Sequence, residues 1–102
     1  MKEWDKNSLA AFLQKKETGL LYFYTPLCGT CQLASKMLQV VEELEDIQIG
    51  KMNLNFHPEL AVDFSVESVP CLVFLHNGTV KETIYALHSV PYLLERVRTH
   101  LT

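Results

Sequence analysis

Apolar and polar positions change period several times along the chain. After the polar stretch Asp5–Ser8, Leu9, Phe12 and Leu13 share one helical face, and Gly19 provides a stop. Leu20-Leu21-Tyr22-Phe23-Tyr24 is a continuous apolar run with aromatic content, the pattern of a strand covered on both faces. Thr25-Pro26 breaks it. From Thr30 to about Glu45 the helical period returns, with Leu33, Met37, Val40, Val41 and Leu44 predicted as its apolar stripe.

Ile47–Leu54 reads as the next strand. A helical crossover separates it from the first strand, so the two should run parallel in a right-handed βαβ unit. Pro58 suits the first turn of a short helix carrying Leu60, Ala61 and Phe64. Cys71-Leu72-Val73-Phe74-Leu75 is another buried strand. Asn77-Gly78 predicts a type I′ hairpin, whose two central residues need positive φ, and Val80–Tyr85 returns. Ser89 can cap a last helix with Leu93, Leu94, Val97 and Leu101 inward and Arg96 and Arg98 near its negative end. The order α, β, α, β, α, β, β, α fits a single α/β domain over residues 1–102. Its centre is a mixed four-stranded sheet with helices on both faces, and a short fifth strand near Lys2–Trp4 is compatible with it.

Composition narrows the function classes. With 48% hydrophobic residues and a net charge of −3, the chain has the material for a core and not the composition of a disordered segment. The nine Lys and Arg residues are scattered and form no basic stripe, which argues against a nucleic-acid partner. Leu20–Tyr24 is far short of the ~20 apolar residues of a spanning helix, so no membrane partner is expected. The opening Met1-Lys2-Glu3-Trp4-Asp5 is polar and leads straight into a helical pattern, so no signal peptide and a cytoplasmic location are expected. Three cysteines is an odd, low count that fits a reducing compartment better than a secreted disulfide scaffold.

Cys28-Gly29-Thr30-Cys31 falls where the first buried strand gives way to the long helix. A free thiol, with a pKa near ~8.5, is mostly protonated at neutral pH, and the thiolate is the nucleophile in disulfide exchange. Unsatisfied N–H groups and partial positive charge at a helix N-terminus favour that anion. Cys28, just before the first turn, is therefore expected to attack, with Gly29 easing the turn. Cys31, three residues on and directed inward, is expected to resolve the mixed disulfide. Two other readings of the pair are packing of a helix terminus and metal ligation. A closed zinc site needs four ligands, and the chain offers neither a second Cys-x-x-Cys nor a His pair at helical spacing. No metal or organic cofactor is expected, since a dithiol stores the electrons itself.

The segment Phe23-Tyr24-Thr25-Pro26-Leu27-Cys28-Gly29-Thr30-Cys31 resembles the active-site region of the thioredoxin family. Lys51-Met52-Asn53-Leu54-Asn55, Val66-Glu67-Ser68-Val69-Pro70-Cys71-Leu72 and Asn77-Gly78 follow in the family's order and spacing, so the resemblance covers roughly Gly19 to Leu101. It implies a thioredoxin-like fold, thiol–disulfide oxidoreductase activity on protein disulfides, and an electron-donating reductase as partner. It also implies a cis Val69–Pro70 bond beside the cysteines, where the Val69 backbone would meet an extended substrate. Leu27, Val69 and Pro70 are then the expected substrate contacts, and a monomer is expected.

Departures from the family pattern carry their own expectations. Leu27 stands for the usual Trp, which shrinks the aromatic docking surface. Thr30 stands for the common Pro, adding an N–H near Cys28. Tyr22 stands for a buried Asp that takes the second cysteine's proton, while Lys51 matches the lysine that accompanies that Asp. With a phenol of pKa near ~10 as a poor base, resolution should be slow. Lys36 replaces a kinking Pro and Ala86 a Gly of the substrate groove. Cys71 is expected to be a buried apolar residue, the sharper alternative being a third thiol within reach of Cys28. His57, His76, His88 and His100 are expected on the surface.

Overall fold

A computed structural model describes residues 1–102. The elements are β1 (Lys2–Glu3), α1 (Lys6–Gln14), β2 (Gly19–Tyr24), α2 (Gly29–Leu44), β3 (Gln48–Asn53), α3 (Glu59–Asp63), β4 (Cys71–His76), β5 (Thr79–Ile84) and α4 (Val90–Leu101). The sheet has five strands in the order β1-β3-β2-β4-β5. β1 and β2 both pair parallel with β3, β4 runs antiparallel to β2, and β5 antiparallel to β4. The mixed sheet is thus the predicted one with the short N-terminal strand added at its β3 edge.

Alternation along the strands splits the interior in two. Leu20, Tyr22, Ile49, Leu72 and Phe74 face α2 and α4, meeting Ala34, Leu38, Leu93 and Val97. Leu21, Phe23, Met52, Cys71 and Val73 face α1 and α3, meeting Leu9, Phe12 and Leu60. Both faces of β2 and β4 are covered, which is why these strands read as unbroken apolar runs. Trp4 closes the α1 side of the sheet edge. It packs on Phe12 with ring centroids 5.1 Å apart, and its indole occupies the space a Cβ on Gly50 would need.

The predicted stripe of α2 is out of phase. The buried positions are Cys31, Ala34, Leu38 and Val41, whereas Leu33, Val40 and Leu44 are exposed. Counting only large side chains misled the assignment. The helix sits close enough to the sheet for Ala34 and Cys31 to be core residues, which rotates its inner face by about one residue. The remaining local signals act as expected. Asn77 and Gly78 adopt φ of 52° and 80° in the hairpin turn. Ser89 Oγ accepts the Tyr92 N–H at 3.2 Å, capping α4.

Candidate active site

β2 delivers the chain to the N-terminal end of α2, and Cys28 is the residue that caps this helix. Its backbone is extended (φ −93°, ψ 110°), and its Sγ accepts the Cys31 N–H at 3.1 Å. The sulfur thus takes the role a Ser or Asp oxygen plays at other helix starts, satisfying one of the orphan donors. No acidic residue lies in the first turn, so no carboxylate competes with the sulfur for the positive end of the helix. Thr30 Oγ1 stands 3.3 Å from Cys28 Sγ, a second hydrogen-bonding group at the same atom.

Cys28 and Cys31 are joined as a disulfide, with their Cα atoms 5.1 Å apart. Cys31 is 2% exposed and Cys28 half-buried, so the two sulfurs differ in access as the sequence implied. Gly29 turns out not to be required by the backbone. Its φ lies outside the left-handed region, and a Cβ there would meet nothing within 4 Å. The turn that glycine was expected to ease is an ordinary first helical turn.

The Val69–Pro70 peptide bond is cis, and the Val69 carbonyl oxygen lies 3.9 Å from Cys28 Sγ. Leu27 is 99% exposed beside them. The structure therefore brings Leu27, Cys28, Thr30, Cys31, Val69 and Pro70 into one region, although the second group is some forty residues away in sequence.

Beneath the disulfide lies a row of polar groups that sequence reasoning saw only in part. Tyr22 is fully buried; its hydroxyl donates to the Cys31 carbonyl at 2.8 Å and accepts from Ser35 Oγ at 3.1 Å. Burial pushes the Tyr22 pKa up, and the Ser35 hydrogen bond works against that rise. Tyr24 stacks on Tyr22 with centroids 5.7 Å apart and donates to Glu3 Oε1 at 2.6 Å. Burial first, then the Glu3 hydrogen bond and charge, push the Tyr24 pKa up to about 12. Lys51 lies with Nζ 5.2 Å from the centre of the Tyr24 ring, a cation–π arrangement. Ser35 and Glu3 were missed. Ser35 was findable as the residue one helical turn beyond Cys31, whereas Glu3 is placed only by the pairing of β1 with β3.

Cys71 is fully buried on the α1 and α3 face, in register with Phe23. Cys31 belongs to α2, on the opposite face of the sheet. Its complete burial as a free thiol matches the expectation of an apolar core residue, and burial pushes the Cys71 pKa up to about 11. Of the four histidines expected on the surface only His88 is exposed, while His57, His76 and His100 are half-buried. His100 packs against Phe74, with Nε2 2.8 Å from Glu82 Oε1 and 2.7 Å from an Arg96 nitrogen. No group of three or more His, Cys, Asp or Glu side chains is arranged to hold a metal ion, and no helix is long and apolar enough to cross a membrane.

A disulfide at a helix N-terminus, one sulfur accessible and the other sheltered, is the arrangement of a thiol–disulfide oxidoreductase. Comparisons with known proteins agree. The thioredoxin family model matches residues 1–97. A thioredoxin-like protein of Bacillus subtilis, YusE, is 51% identical over 80 residues, covering 78% of this chain and 76% of that protein. Thioredoxin of Listeria monocytogenes is 34% identical over 79 residues, covering 74% and 77% respectively. Among solved structures, a mutant thioredoxin from Halobacterium salinarum superposes with a TM-score of 0.88 at 22% identity, covering 100% of this chain and 90% of that one. The chain belongs to the thioredoxin family, and its Cys28–Cys31 pair makes it a protein-disulfide oxidoreductase.

Proposed function

We propose that residues 1–102 act as a single monomeric, cytoplasmic domain that reduces or exchanges disulfides of other proteins. Cys28 is the nucleophile and Cys31 the resolving thiol, and an electron-donating reductase returns the pair to the dithiol. In the reduced protein the Cys28 thiolate attacks a substrate disulfide, releasing one substrate sulfur and forming a mixed disulfide. Cys31 then attacks Cys28 Sγ, the bond to the substrate breaks, and both substrate sulfurs have been reduced. The electron pair comes from the dithiol, so neither metal nor organic cofactor takes part.

The observation that carries this reading is the hydrogen bond from the Cys31 N–H to Cys28 Sγ at the start of α2. A donor already aimed at that sulfur stabilises it as an anion and offers no such help to Cys31. Leu27, Val69 and Pro70 supply the contacts for the substrate segment around its disulfide. Thr30 supports the thiolate with its hydroxyl, and Lys51 supports the site at one remove by fixing the Tyr24 ring.

Trapping tests the assignment. A Cys31→Ser protein should accumulate stable disulfide-linked complexes through Cys28, and a Cys28→Ser protein should capture none. Capture by both variants alike, or by neither, would overturn the assignment of roles. Catalysed reduction of insulin by the wild-type protein distinguishes this reading from an adaptor module, which would show only background turnover.

A further inference from the structure

Resolution requires Cys31 to lose a proton, yet the β2 residue nearest to it offers no basic atom for the task. The single O–H of Tyr22 is committed to the Cys31 carbonyl, and its oxygen already accepts from Ser35. On the other side of Cys31 the surroundings differ. Tyr24, Gln32, Ser35 and Lys36 join Cys31 in bordering an open cavity of about 430 Å³. That space is large and polar enough to hold several waters. Tyr24, on its wall, donates to the Glu3 carboxylate at 2.6 Å, a distance typical of a charge-assisted bond.

Glu3 reaches this position by strand register. It pairs with Lys51, and Lys51 with Tyr22, so the three form one row across β1, β3 and β2 on the face that α2 covers. The row places a carboxylate beneath the site from the N-terminal strand, although none stands at position 22 of β2. Lys51 from β3 and Tyr22 from β2 face the Tyr24–Glu3 pair. From α2, Lys36 borders the same cavity and Glu42 lies further along the helix.

We propose that Glu3 is the terminal proton acceptor for Cys31, reached through solvent in this cavity and the Tyr24 hydroxyl. This rests on Cys31 being the resolving thiol. As Cys31 ionises, its proton passes to a cavity water, and that water gives a proton to the Tyr24 oxygen. Tyr24 in turn gives its own hydroxyl proton to Glu3. Water and Tyr24 end as they began, and the protonated Glu3, being exposed, returns its proton to bulk solvent. The Cys31 thiolate then attacks Cys28 Sγ, and the substrate leaves with the electron pair of the broken S–S bond. Glu3 and Tyr24 are positioning residues for that proton, since neither touches the reacting sulfurs.

The test uses the reduced full-length protein and a symmetric nitrothiobenzoate disulfide. The first coloured thiolate released reports attack by Cys28, and the second reports resolution by Cys31. Glu3→Gln keeps an acceptor oxygen for Tyr24 but removes its basicity. It should leave the first release unchanged, slow the second roughly tenfold to a hundredfold, and move the midpoint of its pH profile upward. Tyr24→Phe should do the same with Glu3 still present. Lys2→Gln, in the same two-residue strand, should alter neither release; an equal slowing there would mean that only the strand's integrity matters, overturning the relay. A second release in Glu3→Gln with wild-type rate and pH profile would also overturn it. Absence of the first release from wild-type protein would instead remove the function proposed above.

Discussion

Tyr22 and Cys31 are held together by a 2.8 Å hydrogen bond from a buried phenol to a backbone carbonyl in the first turns of α2. This bond ties the helix that carries the cysteines to the central strand of the sheet. It also commits the one proton Tyr22 has, which makes Tyr22 a structural neighbour of Cys31.

Removing that hydroxyl should therefore affect stability more than chemistry. Tyr22→Phe is expected to lower the unfolding free energy by about 1–2 kcal/mol, since Ser35 loses its acceptor and the Cys31 carbonyl a donor. Both thiolate-release steps should keep their rates. Tyr22→Asp should do the opposite to the chemistry, speeding the second release by adding a base beside Cys31. Its stability should fall by roughly 3 kcal/mol or more, because a large buried ring is exchanged for a small charged group. Urea unfolding and rapid-mixing kinetics on both variants read these separately.

Cys71 should stay silent until the fold opens. At about pH 8, an alkylating agent should modify Cys28 alone quickly in reduced native protein, since Cys31 and Cys71 are buried, whereas denatured protein should offer all three thiols. The same burial makes a pH-dependent contribution to stability. The folded protein holds the Cys71 proton up to a pKa of about 11, whereas the ordinary value is 9.0. Between those values the unfolded chain binds fewer protons than the folded one, so stability is lost as pH rises. The loss attributable to Cys71 should be on the order of 2 kcal/mol across that interval, and Cys71→Ala should remove it from the pH profile.

Gly50 is predicted to tolerate no side chain. A Cβ there would overlap the Trp4 indole, so Gly50→Ala must displace Trp4 and with it β1. The expected destabilisation is about 1–3 kcal/mol or more, measured by urea unfolding. Because Glu3 precedes Trp4 directly, resolution by Cys31 should slow in the same variant while attack by Cys28 does not.

Leu27 makes the contrasting case. Being almost wholly exposed, it can be replaced by Ala with a change in stability of about 0.5 kcal/mol or less. Its apolar surface is nevertheless available to a bound protein. Leu27→Ala should lower kcat/KM for insulin reduction by roughly fivefold, equivalent to about 1 kcal/mol of lost apolar burial.

What the sequence revealed follows from how local each cause is. The doubly covered strands, the Asn77-Gly78 turn and the Ser89 cap are set by residues close together in the chain, and each was readable there. The Cys28–Cys31 pair was readable for the same reason. The face of α2 was not, because its depth on the sheet depends on the smallness of Ala34, which a count of large apolar side chains ignores. Nor could the link from Glu3 to Tyr24 be read. It arises from the register of β1 on β3, a relation between segments far apart in sequence. His100 was misjudged on similar grounds, since Glu82 and Phe74 reach it from β5 and β4.

The two margins of the sheet are unalike, and each is a poor template for a foreign strand. β1 offers only two residues, and β5 carries exposed Lys81 and half-buried Glu82 beside a register irregularity at Phe74/Leu75. Short length, charge and bulging all discourage edge-to-edge growth into aggregates. A protein that acts on the disulfides of other proteins can thus engage them by sulfur without its own sheet being extended by theirs.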